Sequence, residues 1–327
     1  MSTVPAIVFF GSDPICLPAL DYLRHEAADQ CSVRAVVSQP HRRQGRGKHL
    51  KPNPVAAWAL AHGVELLQPE KPTRELADWI VAQQISVTLV MAYGHFLSKS
   101  LREAARYGML NLHGSLLPKY RGASPIETAL ACGEIETGVG LMQVIQAMDA
   151  GGVADVERVR IGETDTGADL RVKIGEAVVP LLRRNLAALL SGHLQFTAQE
   201  VNQATYCRKI HKADAAVDFA LPARAIYNRL RAFNPWPGAY FDHGAIRLKV
   251  GRASVQAEAV EVAAPGTVLR TQPGLCVATG AGVICFHALQ RAGARMLPVA
   301  EFLRGYRIVE GDQLVGGRAQ ALLREPA

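Results

Sequence analysis

The sequence contains no apolar run that reaches the roughly 18 residues needed for a membrane-spanning helix, which excludes a transmembrane prediction. Its first residues lack a basic cluster ahead of an apolar core, so we predict a strand there and not a secretory signal. The six cysteines include no Cys-x-x-Cys pair and no neighbouring histidine at metal-ligand spacing, so no metal site is predicted. We therefore expect reduced, mostly buried thiols, a cytoplasmic location, and no membrane or protein partner.

Motifs for the common nucleotide cofactors are also missing. The turn after the first predicted strand reads Gly-Ser-Asp-Pro over 11–14, which is not the Gly-x-Gly-x-x-Gly fingerprint of dinucleotide-binding proteins. The sequence has neither the phosphate-binding loop of nucleotide hydrolases nor the nucleophile elbow of serine hydrolases. These absences argue against NAD or FAD as a cofactor.

Positive charge is present in excess and is unevenly distributed. The 327 residues carry a formal net charge of +7. Residues 1–195 hold 20 Lys/Arg and 19 Asp/Glu, whereas residues 196–327 hold 16 and 10. Because nearly all of the surplus lies in the last part of the chain, that part is expected to meet a polyanionic partner such as a nucleic acid.

The first part of the chain alternates short strand-like runs with segments of helical spacing. The predicted strands are 6–10, 33–37, 87–92, 109–113 and 140–145, and the predicted helices are 18–25 and 53–62. This alternation is typical of parallel strands joined by helical crossovers, so we predict an open, doubly wound, Rossmann-like α/β sheet. Ligands bind such sheets at the carboxyl ends of the strands.

The pattern changes after a long predicted helix over 169–190, which Gly192 would end. One more helix is predicted over 220–233, and short β-like runs separated by glycines follow it. Such runs are typical of a small, OB-like β-barrel. We therefore predict three parts of the chain: a first domain over 1–195, a linker over 196–207 and a second domain over 208–327.

An amide and an imidazole stand two residues apart at the end of one predicted strand. Asn111 and His113 lie on the run 109–113, which Gly114 follows, so both side chains point to one face of the sheet. Such a pair could hold a carbonyl oxygen and move a proton, as acyl transfer requires. The alternative is that Asn111 caps a turn and His113 is a hydrogen-bonded core histidine.

A carboxylate at a second strand-to-loop junction could complete this pair. Asp149 lies in the stretch Met-Asp-Ala-Gly-Gly after the predicted strand 140–145. From there it could reach His113, fix the tautomer of the ring and favour its charged form. Because an aspartate close to glycines is also an ordinary turn signal, a purely structural role stays open.

The segment 41–51 is basic throughout and contains no acidic residue. Its five cationic residues are Arg42, Arg43, Arg46, Lys48 and Lys51. Two glycines make it flexible, and it follows a predicted strand, so we expect a mobile loop that grips phosphates near the site. The alternative is a solvated surface loop.

The stretch NLHGSLLPKYRGASPI over 111–126 resembles the signature of the folate-dependent formyltransferases. The resemblance implies a formyltransferase catalytic domain in which Asn111, His113 and Asp149 are the catalytic residues. It also implies that the formyl donor is 10-formyltetrahydrofolate and that no metal takes part. The residues implied to bind this donor are Ser115, Leu116, Leu117, Pro118, Met91, Ala92 and Tyr93.

Three further stretches are similar to the members of that family that formylate methionyl initiator tRNA: the opening 8–12, the stretch 39–48 that includes most of the basic segment, and RAFNPWPGA over 231–239. The resemblance implies an enzyme of translation initiation whose basic segment and second domain bind tRNA. Gly140 departs from the family, which usually has Thr or Ser there. The alternatives are a formyltransferase acting on an amino-sugar nucleotide and a non-catalytic RNA-binding protein on the same scaffold.

Overall fold

Two larger sheets organise the chain in the computed structural model, which describes residues 4–44, 49–256 and 263–324. The strands are β1 (Ala6–Phe10), β2 (Ser32–Val37), β3 (Arg42–Gln44), β4 (His49–Lys51), β5 (Glu65–Leu67), β6 (Val87–Val90), β7 (Met109–His113), β8 (Arg121–Gly122), β9 (Glu136–Gln143), β10 (Val153–Arg160), β11 (Tyr206–Cys207), β12 (Tyr240–His243), β13 (Ile246–Gln256), β14 (Val268–Arg270), β15 (Leu275–Ala278), β16 (Val283–Arg291), β17 (Leu297–Pro298) and β18 (Leu323–Arg324). The α-helices are α1 (Leu17–Asp21), α2 (Pro54–Ala61), α3 (Arg74–Ala82), α4 (Lys99–Arg102), α5 (Pro125–Ala131), α6 (Gly167–Ser191), α7 (Ala223–Ala232) and α8 (Val299–Gly305). None of the described helices is long and apolar enough to cross a membrane.

The first sheet has seven strands in the order β10–β9–β7–β6–β1–β2–β5. Strands β1, β2, β5, β6 and β7 are parallel, which confirms the prediction of an open α/β sheet. Strands β9 and β10 run antiparallel to their neighbours, so the prediction of parallel strands throughout is wrong at this edge. The connection 144–152 between them contains no helix, whereas a parallel return needs a crossover of about a dozen residues or more.

Apolar clusters cover both faces of this sheet. The side chains of β1 alternate between the two clusters, with Ile7 and Phe9 in one and Val8 and Phe10 in the other. The predicted helix over 169–190 is α6, which begins after the N-cap Thr166 and ends at Gly192 in the left-handed conformation. Its apolar side chains pack in the same cluster as Ile7 and Phe9.

The second sheet is antiparallel, in the order β12–β13–β16–β15–β14, with β17 beside β16. Both of its edges bridge to one late segment, because Asp242 pairs with Val315 and Thr267 pairs with Gln313. These bridges close the sheet into a barrel, and its core contains Phe219, Phe241 and Phe286. The prediction of a small β-barrel after the α/β sheet is confirmed.

A third, small sheet of β18, β11 and β8 joins distant parts of the chain. Strand β8 follows the site strand β7, β11 belongs to the predicted linker, and β18 lies near the end of the described chain. Ala232, Phe233 and Leu322 also pack in the cluster of the first sheet. The predicted division at 196–207 therefore separates segments that pack closely on each other.

One pair of cysteines departs from the expectation of reduced thiols. Cys276 on β15 and Cys285 on β16 stand directly opposite each other and form a disulfide. The physical reason is their register, which leaves the two Cα atoms 4.1 Å apart on adjacent antiparallel strands. Among the other cysteines, Cys16, Cys31 and Cys207 are free and buried, as expected, whereas Cys132 is free and exposed.

Two glycines of β9 differ in the space around them. A Cβ atom at Gly140 would make ordinary contacts, 3.7 Å from the Ser115 carbonyl oxygen, whereas one at Gly138 would collide with the Glu157 carbonyl oxygen.

Glycine inside a strand costs about 0.5–1 kcal/mol of folding stability relative to alanine. Gly140→Ala should therefore raise the melting temperature by about 1–3 °C, and Gly138→Ala should lower it. Circular dichroism melts of both variants test this, and a destabilised Gly140→Ala would contradict the contact geometry.

Candidate active site

Strand β7 directs Asn111 and His113 to one face of the first sheet. Leu110 and Leu112 pack in the apolar cluster on the other face. Because side chains alternate along a strand, Asn111 and His113 project away from that cluster. His113 is only 6% exposed, and Asn111 is half-buried. The two side chains therefore lie on the same face of the sheet, as their spacing predicts.

Each ring nitrogen of His113 faces a different acceptor. Nε2 lies 3.0 Å from the carbonyl oxygen of Tyr120. Because a carbonyl oxygen can only accept, Nε2 carries a proton and the neutral ring keeps Nδ1 free. Nδ1 lies 3.8 Å from Oδ2 of Asp149, which brings together two of the three predicted catalytic residues.

Asp149 reaches this position from the connection between β9 and β10. The expectation that it lies at a strand-to-loop junction is wrong, since β9 ends at Gln143 and Asp149 lies further along the loop. Its backbone is left-handed, with φ at 49°. The backbone N–H of Gly122 donates to Oδ2 of Asp149 at 2.8 Å, and this bond turns the carboxylate towards His113.

A buried arginine and a linker glutamine hold the same loop, and the sequence interpretation missed both. Arg121 is 2% exposed, and its Nε and Nη2 donate to Oε1 of Gln199 at 3.0 and 2.8 Å. Nε2 of Gln199 donates to the carbonyl oxygens of Asp149 and Gly151 at 2.9 and 2.7 Å. Arg121 lies within the recognised signature, so its sequence context could have indicated it, whereas Gln199 carries no sequence signal.

The two segments predicted to bind the donor lie at the ends of neighbouring strands. Residues 115–118 follow β7 directly, and Oγ of Ser115 donates to the carbonyl oxygen of Lys119 at 2.7 Å. Residues 91–93 follow β6, which ends at Val90, two residues earlier than predicted. Strands β6 and β7 are parallel neighbours, so both segments lie at the same edge of the sheet.

Two buried polar atoms near this edge have no hydrogen-bond partner in the described part of the chain. They are the hydroxyl of Tyr93 and Nε2 of His95, whose rings lie 5.3 Å apart. Burial raises the pKa of Tyr93 to about 12, so the hydroxyl keeps its proton at neutral pH. Leaving such groups unpaired is costly, and a polar ligand would satisfy them.

The basic segment begins and ends as an antiparallel pair, β3 with β4. Arg42 and Lys51 face each other in this pair and are exposed. Its tip, with Arg46 and Lys48, lies outside the described residues, as does the side chain of Arg43. Gln39 connects the pair to the site edge: it donates to the Tyr93 carbonyl oxygen at 2.7 Å and accepts from Arg42 at 2.9 Å.

Several arginines of the second domain are buried or paired, so their charge is not available at the surface. Arg208 pairs with the buried Asp214, and burial lowers the pKa of Arg229 and Arg231. Nη1 of Arg231 donates to the carbonyl oxygens of Gly162 and Asp165 at 2.9 and 3.2 Å. Arg231, the first residue of the stretch 231–239, therefore holds the two domains together.

One group in the described chain has side chains suited to a cation, and it lies away from these residues. Asp21, His25 and His62 bring ligand atoms within 4.8 Å of one another on α1, the turn after it and the end of α2. Trp58 already binds two members of the group. Its indole N–H donates to Asp21 at 2.6 Å, and its carbonyl oxygen lies 2.8 Å from Nδ1 of His62.

Comparison with known proteins gives the family. The formyl transferase profile matches residues 6–186, and the formyl transferase C-terminal domain profile matches residues 209–307. The chain belongs to the formyl transferase family. The methionyl-tRNA formyltransferase of Sorangium cellulosum is 39% identical to it over 312 residues, which cover 94% of this chain and 99% of that protein. The methionyl-tRNA formyltransferase of Myxococcus xanthus is also 39% identical, covering 94% and 97%.

Solved structures of formyltransferases share the fold. The methionyl-tRNA formyltransferase of Clostridium thermocellum superposes with a TM-score of 0.56 at 15% identity, covering 77% of this chain and 94% of that one. The sugar 3N-formyltransferase WlaRD, whose structure includes dTDP and 5-N-formyl-THF, gives 0.64 at 16% identity, covering 90% and 100%. The family resemblance read from the signature over 111–126 is thus confirmed at the level of the formyltransferases.

Proposed function

We propose that this formyltransferase moves the formyl group of 10-formyltetrahydrofolate onto the amino group of methionyl initiator tRNA, in the cytoplasm, for translation initiation. The observation that carries the proposal is the meeting of His113 and Asp149, 3.8 Å apart, next to Asn111 in a chain of this family. The relatives in Sorangium and Myxococcus, matched over nearly their whole length, support tRNA as the acceptor.

The three side chains divide the reaction between them. The neutral amine attacks the formyl carbon, a nitrogen–carbon bond forms, and the carbonyl electrons move to the oxygen. Asn111 donates a hydrogen bond to this oxyanion, and protonated His113 stabilises it through Nδ1–H. The oxyanion electrons then re-form the carbonyl as the bond from the carbon to N10 of the folate breaks. N10 takes up one proton and the amine releases one, so no net proton is consumed.

The amine proton leaves towards Asp149. Because Nε2 of His113 is bound to the Tyr120 carbonyl oxygen, only Nδ1 of the ring faces the reacting atoms. The carboxylate of Asp149 accepts the amine proton, directly or through a water molecule. No step of this sequence calls for a metal ion.

Donor and acceptor approach from the edge formed by β6 and β7. The segments 91–93 and 115–118 hold the folate, and the unpaired hydroxyl of Tyr93 supports a polar ligand there. The basic segment contacts tRNA phosphates through Arg42, Arg43, Arg46, Lys48 and Lys51. Gln39 supports this placement, because it binds both Arg42 and the Tyr93 carbonyl oxygen at the site edge. An amino-sugar nucleotide, the rival acceptor, would leave this basic segment unexplained.

Removal of any one catalytic side chain should abolish most turnover. Asn111→Ala, His113→Ala and Asp149→Ala are each expected to lower kcat by about 10²-fold or more, the usual cost of an oxyanion donor or acid–base group. The measurement is formyl transfer to methionyl initiator tRNA, beside methionyl elongator tRNA and a dTDP-linked amino sugar. The exposed His193→Ala serves as the control. Near-normal turnover by His113→Ala would refute these roles.

Tyr93→Phe should weaken binding of the folate donor without lowering the stability of the fold. Since the hydroxyl has no described protein partner, its removal is expected to leave the melting temperature unchanged or raised. A hydrogen bond to the folate would be lost, which should weaken binding of a tetrahydrofolate analogue by about 2- to 10-fold. Calorimetry measures the affinity. Unchanged affinity would place the donor elsewhere.

Replacing the basic segment should weaken tRNA binding in a salt-dependent way. A variant with Arg42, Arg43, Arg46 and Lys48 changed to Ala should lose about 0.7 to 0.9 units of the log–log salt slope for each phosphate contact removed. Its folate affinity should not change. The control is Arg74→Ala with Lys99→Ala, which removes two exposed cations from α3 and α4 and should leave the slope unchanged. A wild-type slope in the basic-segment variant would show that the segment is only a solvated surface.

A further inference from the structure

We propose that Arg121 and Gln199 are positioning residues for Asp149, so that one side chain of the predicted linker orients a catalytic residue. The inference rests on the proposed catalytic role of Asp149. It adds two residues that do not touch the reacting atoms and that act through the shape of the loop 144–152.

Gln199 clamps the loop on both sides of Ala150. Its two amide N–H groups donate to the carbonyl oxygens of Asp149 and Gly151 at 2.9 and 2.7 Å. The enclosed turn requires Asp149 to be left-handed, with φ at 49°. Residues other than glycine seldom adopt that conformation, so hydrogen bonds from outside the turn help to hold it.

Arg121 fixes which way the amide of Gln199 points. A guanidinium can only donate, and the two loop carbonyls can only accept. With two N–H groups of Arg121 on Oε1, the amide is forced to present Nε2 to the loop. Nη1 of Arg121 is in turn held by the Tyr206 hydroxyl at 3.0 Å. No carboxylate of the described residues pairs with this buried arginine, so its orientation depends on these neutral acceptors.

The same short strand holds the carboxylate of Asp149. Gly122, the neighbour of Arg121 on β8, donates its backbone N–H to Oδ2 of Asp149 at 2.8 Å. Strand β8 is itself paired with the linker strand β11, and the Arg121 N–H donates to the Thr205 carbonyl oxygen at 2.9 Å. Asp149 is therefore held at both its backbone and its side chain by β8 and the linker.

Gln199→Glu tests this mechanism directly. The glutamate keeps an acceptor for Arg121 but has no N–H for the loop carbonyls. We expect Gln199→Glu and Gln199→Ala both to lower kcat by about 10- to 100-fold, since a misplacement of about 1 Å can cost about 10²-fold. The KM values for folate and tRNA should stay within about 3-fold of wild type. Gln203→Glu, an exposed glutamine of the same linker, makes the same charge change and should keep full activity.

A double-mutant comparison separates this proposal from the proposed function. In an Asp149→Ala background, Gln199→Glu should cause no further loss of kcat, because the residue that it positions is gone. If wild type is active and Asp149→Ala is not, but Gln199→Glu keeps wild-type kcat, the positioning role is overturned while the function stands. Additive losses would also overturn it. A wild type that transfers no formyl group to tRNA would overturn both.

Discussion

The hydrogen bond from the Gly122 amide to the Asp149 carboxylate determines how the rest of the site is arranged. His113 comes from the end of a central strand, whereas Asp149 comes from the loop between the antiparallel strands β9 and β10, so no single element holds both. With this bond at 2.8 Å, Oδ2 stays 3.8 Å from Nδ1 of His113. That separation is longer than a direct hydrogen bond, so the carboxylate and the ring are close neighbours without being hydrogen-bonded to each other.

The small sheet of β8, β11 and β18 connects this site to the second domain. Linker residues lie beside the strand that binds Asp149, and Arg231 binds carbonyl oxygens of the first domain. The apolar side chain of Phe233 packs in the core of the first sheet. The second domain is thus attached by buried apolar and charged contacts, and only part of its basic surplus remains at the surface for a polyanion.

Periodicity predicted the buried, locally determined elements well, since β1, β7 and α6 are set by their own apolar patterns and caps. It did not predict β10, because an edge strand carries charged residues that alternate weakly. The proposed roles of Asn111, His113 and Asp149 come from residue type and family signature. The disulfide Cys276–Cys285 and the Gln199 clamp could not, since both depend on register or contacts between segments that are distant in sequence.

The central claim is that Asn111 stabilises an oxyanion formed from the formyl group. Its most direct test is the single-turnover rate of formyl transfer from 10-formyltetrahydrofolate to methionyl initiator tRNA by Asn111→Asp, a change of one amide to a carboxylate of nearly the same shape. We expect folate affinity to stay close to wild type and the rate to fall by about 10²- to 10³-fold, because the donor to the oxyanion is lost and a negative charge replaces it. A rate near that of wild type would contradict the account.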